Sequence, residues 1–321
     1  MSDPTPFPPA RRVETARGHR SVHEAGPQDG VPLLMLHGWP ELARSWAPVF
    51  GPLAAAGYRC VMPDLAGFGA SDAPNDARAY AMDALVADQA ALLDALGIER
   101  AVIVGHDWGG AIAWPMGWRE PDRCLGVASI CTPHPARAPA PPLSIFARKG
   151  GADHYIVRFQ DEDAPDAAFG GREDAFFRFL FRPGPPRERW GALLPEALWL
   201  TEQFERFDPA GARPPVMSDA DLAVYADAYA RTGHRTPTHV YRMIDENWRQ
   251  TEGRDLTVRA PSLMITASRD MMLPPEASEG MEERVPDLTR ARVDSGHWAM
   301  WEAPGAVTDA LLGWLRDRFP A

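Results

Sequence analysis

The sequence predicts an α/β protein built on a mostly parallel sheet, and three observations carry that prediction. From residue 31 onward, short apolar runs alternate with segments of helical periodicity, the rhythm of strands joined by crossover helices. The runs are apolar at successive positions, as strands covered on both faces must be. The rhythm stops after Thr132 and resumes at Pro261, so one core is interrupted by a long insertion.

Taken in order, Val31 to Leu36, Tyr58 to Met62 and Ala101 to Val104 read as strands, each ending at a turn rich in Gly, Pro, Asp or His. Leu42 to Ala56 and Met82 to Leu96 read as the helices between them. A third helix starts near Gly109 and a fourth strand covers Leu125 to Cys131. The stretch before residue 31 has room for one or two strands of weak signal. Residues 133 to 142 hold five prolines, and the segment after them is aromatic-rich, acidic and without strand alternation. Asp174 to Arg182, Leu193 to Phe207 and Ser218 to Thr232 are its helical stretches. Strands resume at Pro261 to Thr266 and Leu288 to Val293, and Gly305 to Phe319 is a closing helix. The predicted organisation is a core over residues 1–133, a helical cap over 134–255 and the rest of the core over 256–321.

Composition narrows the function. Forty-four Asp and Glu against 33 Lys and Arg give a formal charge of −11 with no basic run, which argues against a nucleic-acid partner. Lys149 is the only lysine and lies in a Lys149-Gly150-Gly151 loop sequence, a poor setting for Schiff-base chemistry or a phosphate clamp. Cys60, Cys124 and Cys131 sit in or beside apolar stretches and read as buried thiols of a reducing compartment. Pro4, Pro6, Pro8 and Pro9 break up a start that lacks a basic end and an apolar core, so no secretory signal is expected. No apolar run approaches the roughly 18 to 20 residues of a membrane helix. A cytoplasmic enzyme away from membranes is the expectation, with oligomeric state left open.

The chemistry concentrates at Gly105-His106-Asp107-Trp108-Gly109-Gly110, where a strand turns sharply into a helix. This is the pattern of a nucleophile elbow with Asp107 at the tip, a position where esterases carry Ser. The glycines clear space around a strained tip residue. An ordinary βα turn with a capping Asp is the plain alternative. Upstream, a strand ends in His37-Gly38-Trp39-Pro40-Glu41, where backbone N–H groups of Trp39 and Trp108 are placed to form an oxyanion hole. The Gly67 and Gly69 loop does not spell a dinucleotide fingerprint. Downstream, Asp270 follows one predicted strand and His297, after Gly296, follows the next. Nucleophile, acid and histidine thus occur in the chain order of α/β-hydrolases.

From His37 to Trp298 the chain resembles the epoxide hydrolases of the α/β-hydrolase fold. The resemblance rests on Asp107-Trp108 at the elbow, on His37-Gly38-Trp39-Pro40 and on a cap inserted after the strand near Cys131. It implies two cap tyrosines that hold the epoxide oxygen. Tyr155, four residues before Phe159-Gln160, and Tyr241, before Arg242 in a helix running to Trp248, match the family pattern. It also implies that Asp107 attacks the epoxide, that His297 oriented by Asp270 activates water against the resulting ester, and that a vicinal diol leaves. Tyr225 and Tyr229 read as packing residues and His106 as structural. His134, His154, His234 and His239 lack companions for a metal site, and no cofactor or metal is implied.

Haloalkane dehalogenase is the nearest alternative, since it uses the same Asp, His and acid with the Trp after the nucleophile as halide donor. Many of those enzymes carry an Asn after His-Gly, where this chain has Trp39. Fluoroacetate dehalogenase places arginines where this chain has Trp108 and Ala111. A non-catalytic binding homologue is marked by loss of a triad member, and here none is lost. Phe176, Phe177, Phe179, Phe181, Trp190 and Trp199, with Trp39 and Trp108, suggest an apolar pocket for a small aryl or alkyl epoxide, with water as second substrate, although some of these aromatics must simply be cap core.

Overall fold

Eight strands form one sheet in the order β1-β2-β4-β3-β5-β6-β7-β8 in the computed structural model, which describes residues 6–321. They are β1 (Ala10–Thr15), β2 (Gly18–Ala25), β3 (Pro32–Leu36), β4 (Arg59–Pro63), β5 (Ala101–His106), β6 (Cys124–Ile130), β7 (Ser262–Ala267) and β8 (Leu288–Val293). β2 pairs antiparallel with both β1 and β4, and every other neighbouring pair is parallel. The start of the chain therefore supplies two strands, the upper end of what its weak pattern allowed. Of the proline-rich opening, residues 1–5 lie outside the described residues, and Pro6, Pro8 and Pro9 precede β1.

The double apolar facing expected of the central strands is met literally. Leu34 and Leu36 of β3 and Ile103 of β5 enter one core, while Leu33, Met35, Val102 and Val104 enter a second core on the opposite face. The first core is covered by α2 (Met82–Ala95) and α3 (Trp108–Arg119); α1 (Phe50–Ala55) and the closing helix cover the second. The predicted helix over 42 to 56 is broken. Ala43–Trp46 forms a 3-10 turn and only Phe50–Ala55 is α-helical, with Pro48 unable to donate to the preceding turn.

Between β6 and β7 the chain is helical: α4 (Pro142–Gly150), α5 (Tyr155–Arg158), α6 (Ala164–Phe169), α7 (Glu173–Leu180), α8 (Trp190–Ala197), α9 (Leu200–Glu205), α10 (Asp219–Thr232), α11 (His239–Arg242) and α12 (Ile244–Gln250). The predicted single helix over 193 to 207 is two, parted where Trp199 leaves helical geometry. α13 (Ala299–Glu302) and α14 (Pro304–Arg318) complete the chain. Phe176, Phe177 and Phe181 are fully buried and Phe179 nearly so, packed on Phe169, Phe204, Tyr225 and Tyr229. Most of the cap aromatics expected to line a pocket are thus cap core; Phe176 is the one whose ring also reaches Trp39, at 6.1 Å. No described helix is long and apolar enough to cross a membrane.

Candidate active site

The parallel strands all point one way, so the loops after β3, β5, β6, β7 and β8 gather at one edge of the sheet. Asp107 stands there between β5 and α3 with φ 51° and ψ −121°, a conformation disfavoured for any residue with a side chain. Close packing enforces it. A Cβ on Gly109 would collide with the backbone carbonyls of Leu36 and His37, and one on Gly105 with the carbonyl of Gly109. Thr132 adds a hydroxyl bond to the Asp107 carbonyl at 2.8 Å.

The two carboxylate oxygens have different surroundings. The Trp39 N–H donates to Oδ1 at 2.7 Å, and Oδ2 lies 3.5 Å from His297 Nε2. The other ring nitrogen of His297, Nδ1, donates to Asp270 Oδ2 at 2.8 Å. Asp270 is fully buried, and its second oxygen accepts the N–H groups of Met272 and Leu273 at 3.0 and 2.9 Å. Of the two amides expected to form the oxyanion hole, only Trp39 makes a hydrogen bond to the resting carboxylate among the described residues. Trp108 begins α3, so its N–H belongs to a helix N-terminus, where negative charge is favoured.

Burial works against a charged imidazole at His297, but the Asp270 charge, followed by hydrogen bonding to Asp107 and Asp270, outweighs it and holds the pKa well above the usual histidine value. The two neighbouring carboxylates thus favour the charged form of the His297 imidazole. Tyr155 opens α5 and Tyr241 lies on α11; their rings meet edge to face at 5.6 Å. Tyr241 also meets Trp39 at 5.5 Å and Trp108 at 5.1 Å, both edge-on. Burial, and then the Asp107 charge, raises the Tyr155 pKa; burial, the Tyr155 phenol and Asp107 do the same for Tyr241. All seven residues singled out from the sequence, Asp107, His297, Asp270, Tyr155, Tyr241, Trp39 and Trp108, are thus joined through this set of contacts.

Beneath them lies a layer of which sequence reasoning read His106 as structural and missed Glu41. Glu41 is fully buried, accepts the Gly38 N–H at 2.7 Å and binds His106 Nδ1 at 2.8 Å. Burial opposes its charge, but His106 overcomes that and lowers its pKa. His106 Nε2 donates to the main-chain carbonyl of His297 at 2.7 Å, so His106 links the oxyanion loop to the histidine loop. The only local signal was an acid following His37-Gly38-Trp39-Pro40 beside apolar Leu42. His106, Cys131 and His297 bring donor atoms within 4.8 Å of one another. As arranged, both His106 nitrogens are committed and Cys131 Sγ donates to the His297 carbonyl at 3.4 Å, so these donors are engaged within the protein.

Sheet, elbow and triad define an α/β-hydrolase with a carboxylate at its elbow. The family model for the alpha/beta hydrolase fold matches residues 31–304. Epoxide hydrolase A of Mycobacterium tuberculosis is 35% identical over 316 residues, covering 96% of this chain and 97% of that one. Bifunctional epoxide hydrolase 2 of Mus musculus is 31% identical over 89% of this chain, which spans only 52% of the mouse protein. The crystal structure of epoxide hydrolase A from Mycobacterium thermoresistibile superposes with a TM-score of 0.85 at 31% identity, covering 96% of this chain and 98% of that one. The chain belongs to the epoxide hydrolase family of α/β-hydrolases.

Proposed function

We propose that the protein hydrolyses epoxides to vicinal diols through an ester on Asp107. The carrying observation is a carboxylate with one oxygen held by the Trp39 amide and the other facing His297, beside two buried phenols. An epoxide needs a nucleophile at carbon and an acid at oxygen, because the departing alkoxide is strongly basic. Asp107 Oδ2 attacks the ring carbon, the ring C–O bond breaks, and a hydroxyl of Tyr155 or Tyr241 gives its proton to the alkoxide. His297 then removes a proton from water as that water attacks the ester carbonyl, while the Trp39 and Trp108 amides hold the oxyanion. Collapse breaks the acyl C–O bond, His297 returns the proton to the diol oxygen, and the water's second proton leaves the regenerated Asp107 carboxyl to solvent while the phenolate regains its own from solvent, so the cycle closes without net proton change.

The shifted pKa values supply timing. Alkylation neutralises Asp107 and removes one of the charges that keep His297 protonated and the phenols weakly acidic. Ring opening thereby makes the phenols better acids and frees His297 to become a base. Residues 134–255 act as the cap that carries both phenols and shields the site from bulk water. Free, buried Cys60, Cys124 and Cys131 suit a cytoplasmic setting. Purified protein offered aryl and alkyl epoxides, haloalkanes and p-nitrophenyl esters, with diol, halide and phenolate each measured, tests the assignment. Diol from an epoxide is the expected result; halide or phenolate release without diol formation overturns it.

A further inference from the structure

The loop that carries His297 is fastened at a point the reaction scheme leaves unused. Glu302, at the end of α13, has a side chain only 4% exposed. Its Oε2 accepts the Gly296 N–H at 2.9 Å, and the same carboxylate accepts the Gly184 N–H at 3.2 and 3.3 Å. Arg269, next to Asp270 in the chain, approaches Oε2 at 3.4 Å, and the Arg269 N–H donates to Ser295 at 2.7 Å. Three segments therefore meet at one buried carboxylate: the loop of the base, the loop of its acid partner and the cap segment between α7 and α8. The approach is close enough to require bare backbone. A Cβ on Gly184 would run into the Gly296 Cα, and a Cβ on Gly296 into the Gly184 backbone and Glu302 Oε1. On the same loop, Trp298 Nε1 donates to the cap carbonyl of Leu180 at 2.9 Å.

We propose that Glu302 is a positioning residue for the second half-reaction, setting His297 against Asp270 through the Gly296 amide and tying that register to the seating of the cap through the Gly184 amide. The inference rests on the proposed esterification of Asp107. A carboxylate serves here because both amide hydrogens point at it and a guanidinium lies alongside, so the bonds are charge-assisted and largely shielded from water. Glu302 touches no reacting atom. Displacement of its loop moves the base and leaves Asp107 on its elbow untouched. Ester hydrolysis, which needs His297, is therefore sensitive to Glu302, and alkylation is not. The shared Gly184 contact ties the His297 loop to the cap segment between α7 and α8.

Rapid mixing with a reactive epoxide, followed by acid quench and intact mass, separates the two half-reactions. In Glu302→Ala, ester hydrolysis slows about ten- to a hundredfold, as expected for sub-ångström to ångström misplacement of a catalytic group. The alkylation rate stays within about threefold of the parent, so alkyl-enzyme accumulates, and kcat and KM fall together while kcat/KM holds. Glu302→Gln restores much of the hydrolysis rate, because its amide oxygen still accepts the Gly296 N–H. Gly184→Ala crowds the Gly296 Cα and leaves Glu302 in place; because the same cap carries both phenols, hydrolysis slows more than alkylation, and the ratio of the two rates keeps the test available if Glu302→Ala does not fold. Equal slowing of both half-reactions, no accumulation of alkyl-enzyme, or a Gln variant no better than Ala overturns the proposal. A parent enzyme that no epoxide alkylates overturns the functional reading instead, so the two failures are distinguishable.

Discussion

Replacing Tyr241 by Phe removes one oxygen and almost nothing else. The ring is 4% exposed and held edge-on by Trp39, Trp108, Tyr155 and Phe159 at 5.1 to 5.6 Å, contacts that a phenyl ring keeps. Folding stability should therefore change by no more than about 1 kcal/mol. On the proposed mechanism the chemical loss is larger, because the hydroxyl acts on charge that develops as the epoxide opens. By analogy with removal of one preorganised oxyanion donor, the cost is about 2 to 4 kcal/mol. At 1.36 kcal/mol per tenfold, alkylation of Asp107 slows about thirty- to a thousandfold. Tyr155→Phe behaves alike, and the double variant nearly abolishes alkylation, without simple additivity because both hydroxyls serve one oxygen. Stopped-flow tryptophan fluorescence, with Trp39 and Trp108 beside the reacting carboxylate as reporters, gives the rate, and intact mass confirms the adduct. A folded double variant that alkylates at the parent rate refutes the assignment of both phenols and favours halide, with Trp108 as donor, as the natural leaving group.

Single turnover in heavy-oxygen water should leave label on Asp107 and none in the first diol; label in that diol, with Asp107 unlabelled, replaces covalent catalysis by direct attack of water. His297→Gln should gain one substrate mass and stall, and a folded variant that binds substrate without gaining mass assigns His297 to ring opening. Because the Asp107 charge helps raise the His297 pKa, Asp107→Asn should move the imidazole titration to lower pH in histidine NMR, and in the parent the rate of ester hydrolysis should rise with pH as the alkyl-enzyme's imidazole deprotonates. An unmoved titration removes the timing argument. Gly109→Ala should destabilise the fold by about 1 to 3 kcal/mol or more and so lower Tm measurably, since the carbonyls of Leu36 and His37 belong to a buried strand end and cannot yield; an unchanged Tm shows that the elbow is slack.

Much of this molecule was legible in the sequence because its information is local. Apolar runs marked β3 to β7, strands buried on both faces, while β8, an edge strand with Arg290 and Arg292, is only partly buried, and the glycines around Asp107 announced a turn that no larger residues fit. The order of Asp107, Asp270 and His297 is fixed by which strands they follow, and a parallel sheet brings the ends of those strands to one edge. β1 and β2 carry arginines, histidines and glutamates and lie antiparallel at the edge of the sheet, so burial imposes little alternation and their signal was weak. Tertiary contact decided the rest. Pairing of Glu41 with His106 across 65 residues, and of Glu302 with Gly184 across 118, leaves no periodicity to read, because a buried acid is paid for by partners that the chain brings from elsewhere. The cap aromatics were similarly ambiguous: a Phe serves a pocket wall and a core equally well by composition, and only packing put Phe176, Phe177 and Phe181 inside, with Phe176 also against Trp39.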